Sequence, residues 1–89
     1  MKSYTTRQFR GLFASLPRHV QQQARQAYRL FRQNVAHPGL HFKRVFADPP
    51  MYSARVGIGY RAVGVLDGDT ITWFWIGAHA GYDRLLAEL

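Results

Sequence analysis

Val20, Ala24, Ala27, Tyr28, Phe31 and Val35 follow one another at intervals of 4, 3, 1, 3 and 4 residues. That single apolar stripe predicts a helix from about Pro17 to Asn34. Phe9, Leu12, Phe13 and Leu16 repeat the spacing upstream and predict a first helix from about Thr6 to Ser15. Pro17 stands at the start of the second helix, where its missing N–H is not needed. Pro38 and Gly39 stop that helix. So few residues separate the two helices that they should fold back as a hairpin.

Past Gly39 the period falls to two. The stretch Leu40 to Phe46 alternates and then slips at Val45. Asp48-Pro49-Pro50 reads as a loop. Tyr52, Ala54, Val56 and Ile58 alternate with Ser53, Arg55 and Gly57, and a further strand covers Tyr60 to Leu66. Asp67-Gly68 is a strong hairpin signal. A two-residue turn there pairs Leu66 with Asp69. It places Arg61 opposite Phe74, on a face with Val63, Val65 and Ile76. Tyr60, Ala62, Ile71, Trp73 and Trp75 then share the other face. The strand Ile71 to Ile76 is apolar on both sides, so the sheet should be covered on both. Lys2 to Thr5 reads as a short strand or an extended lead-in, and His79 to Leu89 as a short terminal helix. The expected architecture is α+β: a helical hairpin packed on a small antiparallel meander sheet with a short C-terminal helix. Length makes this one domain over residues 1–89.

Composition narrows the chemistry. The 89 residues are 47% hydrophobic and 15% aromatic, which excludes a disordered chain. With no cysteine there is no disulfide framework and no zinc ribbon, and a reducing, cytoplasmic setting fits. No apolar run is long enough to span a bilayer. The amphipathic, Arg-bearing start also matches a transit peptide, but its helical spacing makes it the first helix of the fold. Twelve Lys and Arg against five Asp and Glu give a net charge of +7. Such an excess draws in polyanions, with nucleic acid first and an acidic protein second. The few carboxylates form no pair suited to glycoside or metal-assisted chemistry, and no phosphate-loop or dinucleotide motif is present. No metal and no cofactor is expected.

Four groups of side chains carry candidate chemistry. Arg55 and Arg61 lie inside strand-forming sequence. A two-residue turn at Ile58-Gly59 sets them on opposite faces. An odd-length loop, or a bulge at Gly57 or Gly59, sets them on one face as a clamp for phosphate oxygens. Taken singly, each reads equally well as a surface arginine with its stem laid on apolar neighbours. Lys43 and Arg44 are adjacent and must point to opposite faces, with His41 on the Lys43 side. They serve either a phosphate or the protection of an edge strand. His79 and Tyr82 share a helical face, and His79 can move a proton near neutral pH. Arg18, Arg25, Arg29 and Arg32 form a helical stripe, either a contact to a phosphate backbone or a solvated outer face. A ribose 2′-hydroxyl can attack its neighbouring phosphate where cations stabilise charge and a proton carrier is close. Lys43, Arg55, Arg61, His79 and Tyr82 form the set such a reaction needs.

The order of elements, together with "YSARVGIGYRAVG", "GDTITWFWIGAHAGYD" and "NVAHPGLHFKRV", resembles the RelE/ParE superfamily of bacterial toxin–antitoxin toxins over nearly the whole chain. The resemblance implies a small, basic, cytoplasmic toxin that a cognate antitoxin neutralises. Its RelE-like branch implies a metal-independent mRNA endoribonuclease acting on the ribosome. Its ParE-like branch implies a DNA gyrase inhibitor. A third possibility is a non-catalytic domain that keeps only antitoxin pairing. By matching position, Arg55 resembles the phosphate-stabilising arginine, and Arg61 matches the arginine of the Tyr-Arg hairpin. Lys43 falls in a segment of basic residues. His79 stands where members carry arginine or histidine, and Tyr82 lies near a terminal catalytic tyrosine. On this reading Lys43, Arg55, His79 and Tyr82 are catalytic, while Arg61, Arg44, Arg25, Arg29 and Arg32 hold RNA.

Overall fold

A computed structural model describes all residues 1–89. The chain runs β1 (Lys2–Thr5), α1 (Arg7–Ala14), α2 (Arg18–Gln33), a single 3₁₀ turn (Pro38–Leu40), β2 (Lys43–Phe46), β3 (Met51–Val56), β4 (Tyr60–Asp67), β5 (Thr70–Ala78) and α3 (His79–Ala87). The strands form one five-stranded sheet in the order β1-β5-β4-β3-β2. Strands β2 to β5 are the expected antiparallel meander. The segment Lys2 to Thr5 is a true strand, added parallel to β5 with Ser3 beside Ile71 and Thr5 beside Trp73, so the sheet is mixed.

Thr6 begins α1 by accepting a hydrogen bond from the Phe9 amide through its side chain, the usual use of threonine at a helix start. Both helices lie on one face of the sheet, α1 over β5 and α2 over β3. The main core forms there. Val20 and Phe31 from α2 and Leu40 from the 3₁₀ turn meet Ala54, Val56, Ala62, Ile71, Trp73 and Ile76. The ring of Phe31 packs edge-on to Trp73 at 5.5 Å, and Phe42 stacks on Tyr52 at 4.9 Å. The indole N–H of Trp73 donates to Ser3 Oγ at 3.1 Å, which ties β1 to the core.

Two registers differ from the sequence expectation. The β4–β5 turn pairs Asp67 with Thr70, leaving Gly68 and Asp69 as its two loop residues. Further along, Val63 pairs with Trp75 while Gly64 pairs with Trp73, so Phe74 is an extra bulged residue on β5. Arg61 therefore faces Gly77, not Phe74. The bulge also exchanges two side chains between faces. Ile76 joins the helix-covered core, and Trp75 moves to the opposite face beside Val63. His41 adopts a left-handed backbone (φ 46°) ahead of β2, so the strand alternation that would align it with Lys43 does not reach it.

Candidate functional site

The β3–β4 hairpin decides how the two strand arginines stand. Val56 pairs with Tyr60, so the loop has three residues, Gly57, Ile58 and Gly59. An odd loop keeps the faces in step, and Arg55 pairs directly with Arg61. Both point away from the helices. The same face carries Lys43, which pairs with Ser53, and Ser53 in turn pairs with Val63. Lys43 is thus a diagonal neighbour of Arg55, with backbones about 7–8 Å apart. Arg44, paired with Tyr52, takes the other side and donates to the Ala47 carbonyl at 2.6 Å.

Carbonyls in this loop and at the first residue of β4 hold the site together. Arg55 Nε donates to Gly57 O at 3.1 Å. Arg61 Nη1 donates to Tyr60 O at 2.8 Å and reaches Ile58 O at 3.4 Å. The amide of His79, the first residue of α3, donates to Gly59 O at 2.9 Å. Gly57 makes this possible with φ +58°, a conformation that L side chains rarely adopt. Arg55 keeps both terminal amino groups free, and Arg61 keeps one together with its Nε. No carboxylate lies within ion-pair distance of Arg55, Arg61 or Lys43. Two fixed guanidinium groups, paired across strands and lacking a counterion, make an anion-binding arrangement suited to phosphate oxygens.

Helix α3 crosses this face. Its docking rests on Tyr82, which is 6% exposed and donates its hydroxyl proton to the buried Ser53 Oγ at 3.1 Å. The Trp75 indole lies against the chain where β5 passes into α3. A Cβ at Gly77 would stand 2.8 Å from that ring, so any larger residue there requires the Trp75 indole to shift. Tyr82 is therefore set into the sheet and is not open to a ligand. His79 is half exposed, and its Nε2 lies 3.4 Å from the exposed carboxylate of Asp83, one helical turn on. No three His, Asp or Glu side chains converge anywhere in the fold.

The structure thus brings Lys43, Arg55, Arg61, His79 and Tyr82 to one face, with Tyr82 beneath it. Arg25, Arg29 and Arg32 project from α2 on the other side of the sheet. There the Arg25 guanidinium lies 5.2 Å from the centre of the Phe13 ring, and that of Arg32 lies 6.0 Å from Tyr28. Ser53 and Trp75 are the residues that sequence reasoning missed. In the sequence Ser53 is one polar position in an alternating strand, and unbroken alternation puts Trp75 on the helix-covered face because nothing marks the bulge.

The model of the ParE-like toxin domain matches residues 18–84, from the start of α2 into α3. The chain belongs to the ParE-like toxin domain family, within the RelE/ParE superfamily. The toxin domain also resembles solved structures. One is the RelB-RelE antitoxin-toxin complex from Methanococcus jannaschii (TM-score 0.72, 19% identity, covering 91% of this chain and 96% of that one). Another is the archaeal RelE-RelB complex from Pyrococcus horikoshii OT3 (TM-score 0.68, 16% identity, covering 86% and 92%). A third is a copper-bound mutant toxin from Helicobacter pylori (TM-score 0.61, 13% identity, covering 91% and 97%). At these identities the likeness is one of fold. No curated protein sequence matches the chain significantly. No helix is long and apolar enough to cross a membrane.

Proposed function

We propose that this toxin domain is the toxin of a toxin–antitoxin pair, acting in the cytoplasm as an endoribonuclease on mRNA held by the ribosome. The observation that carries the reading is the Arg55–Arg61 pair, opposed across two strands without a counterion, with Lys43 diagonal to it and His79 held by the same loop. In the proposed reaction a ribose 2′-oxygen attacks the adjacent phosphorus while giving up its proton. The P–O5′ bond breaks, a 2′,3′-cyclic phosphate forms, and the leaving 5′-oxygen takes a proton. Arg55 and Arg61 stabilise the charge that builds on the non-bridging oxygens. Lys43 holds the neighbouring phosphate. His79 exchanges the protons, with Asp83 orienting its ring. Tyr82 takes no part in proton transfer on this reading; it fixes α3 and thereby His79.

Gyrase inhibition is the second reading. It is favoured by the ParE-like family match and by the Tyr82 hydroxyl being occupied by Ser53, which takes it out of proton transfer. Cell-free translation separates the two. Under the first reading added protein arrests translation, mapped mRNA ends fall inside ribosome-held codons, and Arg55→Ala or Arg61→Ala abolishes cleavage. Intact mRNA together with blocked DNA supercoiling by gyrase overturns it in favour of the second.

A further inference from the structure

Ile58 is 84% exposed, and the next most exposed large apolar residue, Tyr4, is 57% exposed. It stands at the tip of the β3–β4 loop, between Gly57 and Gly59. Turn tips mostly hold glycine, asparagine, aspartate or serine. An isoleucine here adds nothing to the core and keeps its apolar surface in water. Backbone geometry does not call for it either, because the left-handed position of the loop is taken by Gly57. The loop is also well braced. Its three carbonyls accept from Arg55, Arg61 and the His79 amide. From the helix side the Gln23 amide packs against Gly57, where an added Cβ would stand 2.5 Å from its oxygen. A fixed main chain thus presents one bare aliphatic side chain beside two cations.

We propose that Ile58 contacts RNA, its side chain packing on the face of the base next to the phosphate that Arg55 and Arg61 hold. The inference rests on the reading of that arginine pair as an RNA phosphate site. Arg61 Nη1 lies 3.4 Å from Ile58 O, one long hydrogen bond from the tip residue. A phosphate on that guanidinium brings its own ribose and base within reach of the Ile58 side chain. Every base has an apolar face, and isoleucine is among the side chains that pack against or between bases. A protein partner fits the tip less well. Apolar anchors of protein interfaces sit in clusters, whereas the chain neighbours of Ile58 are two glycines without side chains. A second copy of this chain meeting tip to tip would set Arg55 and Arg61 against their own copies.

The test measures binding of the full chain to a labelled, uncleavable 2′-O-methyl RNA of roughly six nucleotides, and to a set of the same strands in which one base at a time is removed. Ile58→Ser should weaken binding of the intact strand about fivefold, the low end of what a stacked base contributes. Its thermal midpoint should stay native, because the side chain is 84% exposed. At one abasic position the wild type should lose the same factor, and Ile58→Ser should there lose nothing further. Ile58→Leu should restore binding. The salt slope should not change with Ile58→Ser, since the contact is apolar. No loss on the intact strand, or an equal loss from Ile58→Ser at every abasic position, overturns the inference; if Arg55→Ala still weakens binding, the phosphate-site reading stands. No binding, or binding indifferent to Arg55→Ala, overturns that reading and the inference together. An Ile58→Ser protein that binds RNA like the wild type but no longer blocks DNA supercoiling by gyrase overturns the inference in favour of a protein contact.

Discussion

Replacing Tyr82 by phenylalanine separates an anchor from a proton donor. The Tyr82 hydroxyl and its acceptor Ser53 are 3.1 Å apart, with the two residues 6% and 1% exposed. Tyr82→Phe removes the donor and leaves the serine hydroxyl buried without this partner. A buried polar group stranded in this way costs about 1–3 kcal/mol. Ser53→Ala strands the tyrosine hydroxyl at a similar cost. The double variant removes both polar groups and leaves only apolar contact, so its loss should fall short of the sum by roughly 1 kcal/mol. For a domain of this size each kcal/mol moves the thermal midpoint by about 4–8 °C. Urea and thermal unfolding of the four proteins measure the cycle, and mRNA cleavage well below the midpoint measures function. Tyr82→Phe should lose stability and keep cleavage. An unchanged midpoint with abolished cleavage, or strictly additive single losses, would refute the anchor and return Tyr82 to the chemistry.

Three further outcomes follow from the same structure. Leu40→Ala, at a residue 1% exposed, should cost about 2–5 kcal/mol in urea unfolding. Gly57→Ala should cost roughly 1 kcal/mol because φ is +58°; mRNA cleavage should fall further than that loss explains, since Arg55, Arg61 and His79 all bond to this loop. Binding of a single-stranded RNA oligonucleotide, followed by fluorescence anisotropy, should show a log–log salt slope that falls by about 0.7 in Arg55→Ala. Arg29→Ala, on α2 across the sheet from Arg55, should leave that slope unchanged.

Helix α2 was legible because its stripe is sustained over sixteen residues. The meander was legible from turn residues and two-residue alternation. Three features were not, and each has a physical reason. Strand β1 reads in the sequence as a short strand or a lead-in, but its parallel pairing with β5 almost seventy positions away leaves no local mark. The Phe74 bulge lies in a strand apolar on both faces, where sliding by one residue leaves the hydrophobic pattern almost unchanged. That ambiguity is what misplaced Trp75 and Ile76. Spacing put His79 and Tyr82 on one helical face, but only docking onto the sheet turns Tyr82 inward and leaves His79 half exposed.

The arginine pair is hard to explain as a product of folding alone. Like charges directly opposed on a sheet are destabilising, on a scale of about 0.2–1 kcal/mol, and a small domain has few kcal/mol to spare. The carbonyls of Gly57, Ile58 and Tyr60 offset part of that repulsion without cancelling either charge. Asp83 lies on the adjoining helix, yet it sits beside His79 and not beside the guanidinium groups. A surface shaped only for stability would hold a carboxylate or an apolar pair at these positions. On the proposed reading an entering phosphate relieves the repulsion, so the residues that weaken the free fold would strengthen binding. The carbonyls that fix the pair sit in and next to the Gly57–Gly59 loop, whose Gly59 carbonyl also accepts the backbone amide of His79 and so ties the start of α3 to the same hairpin.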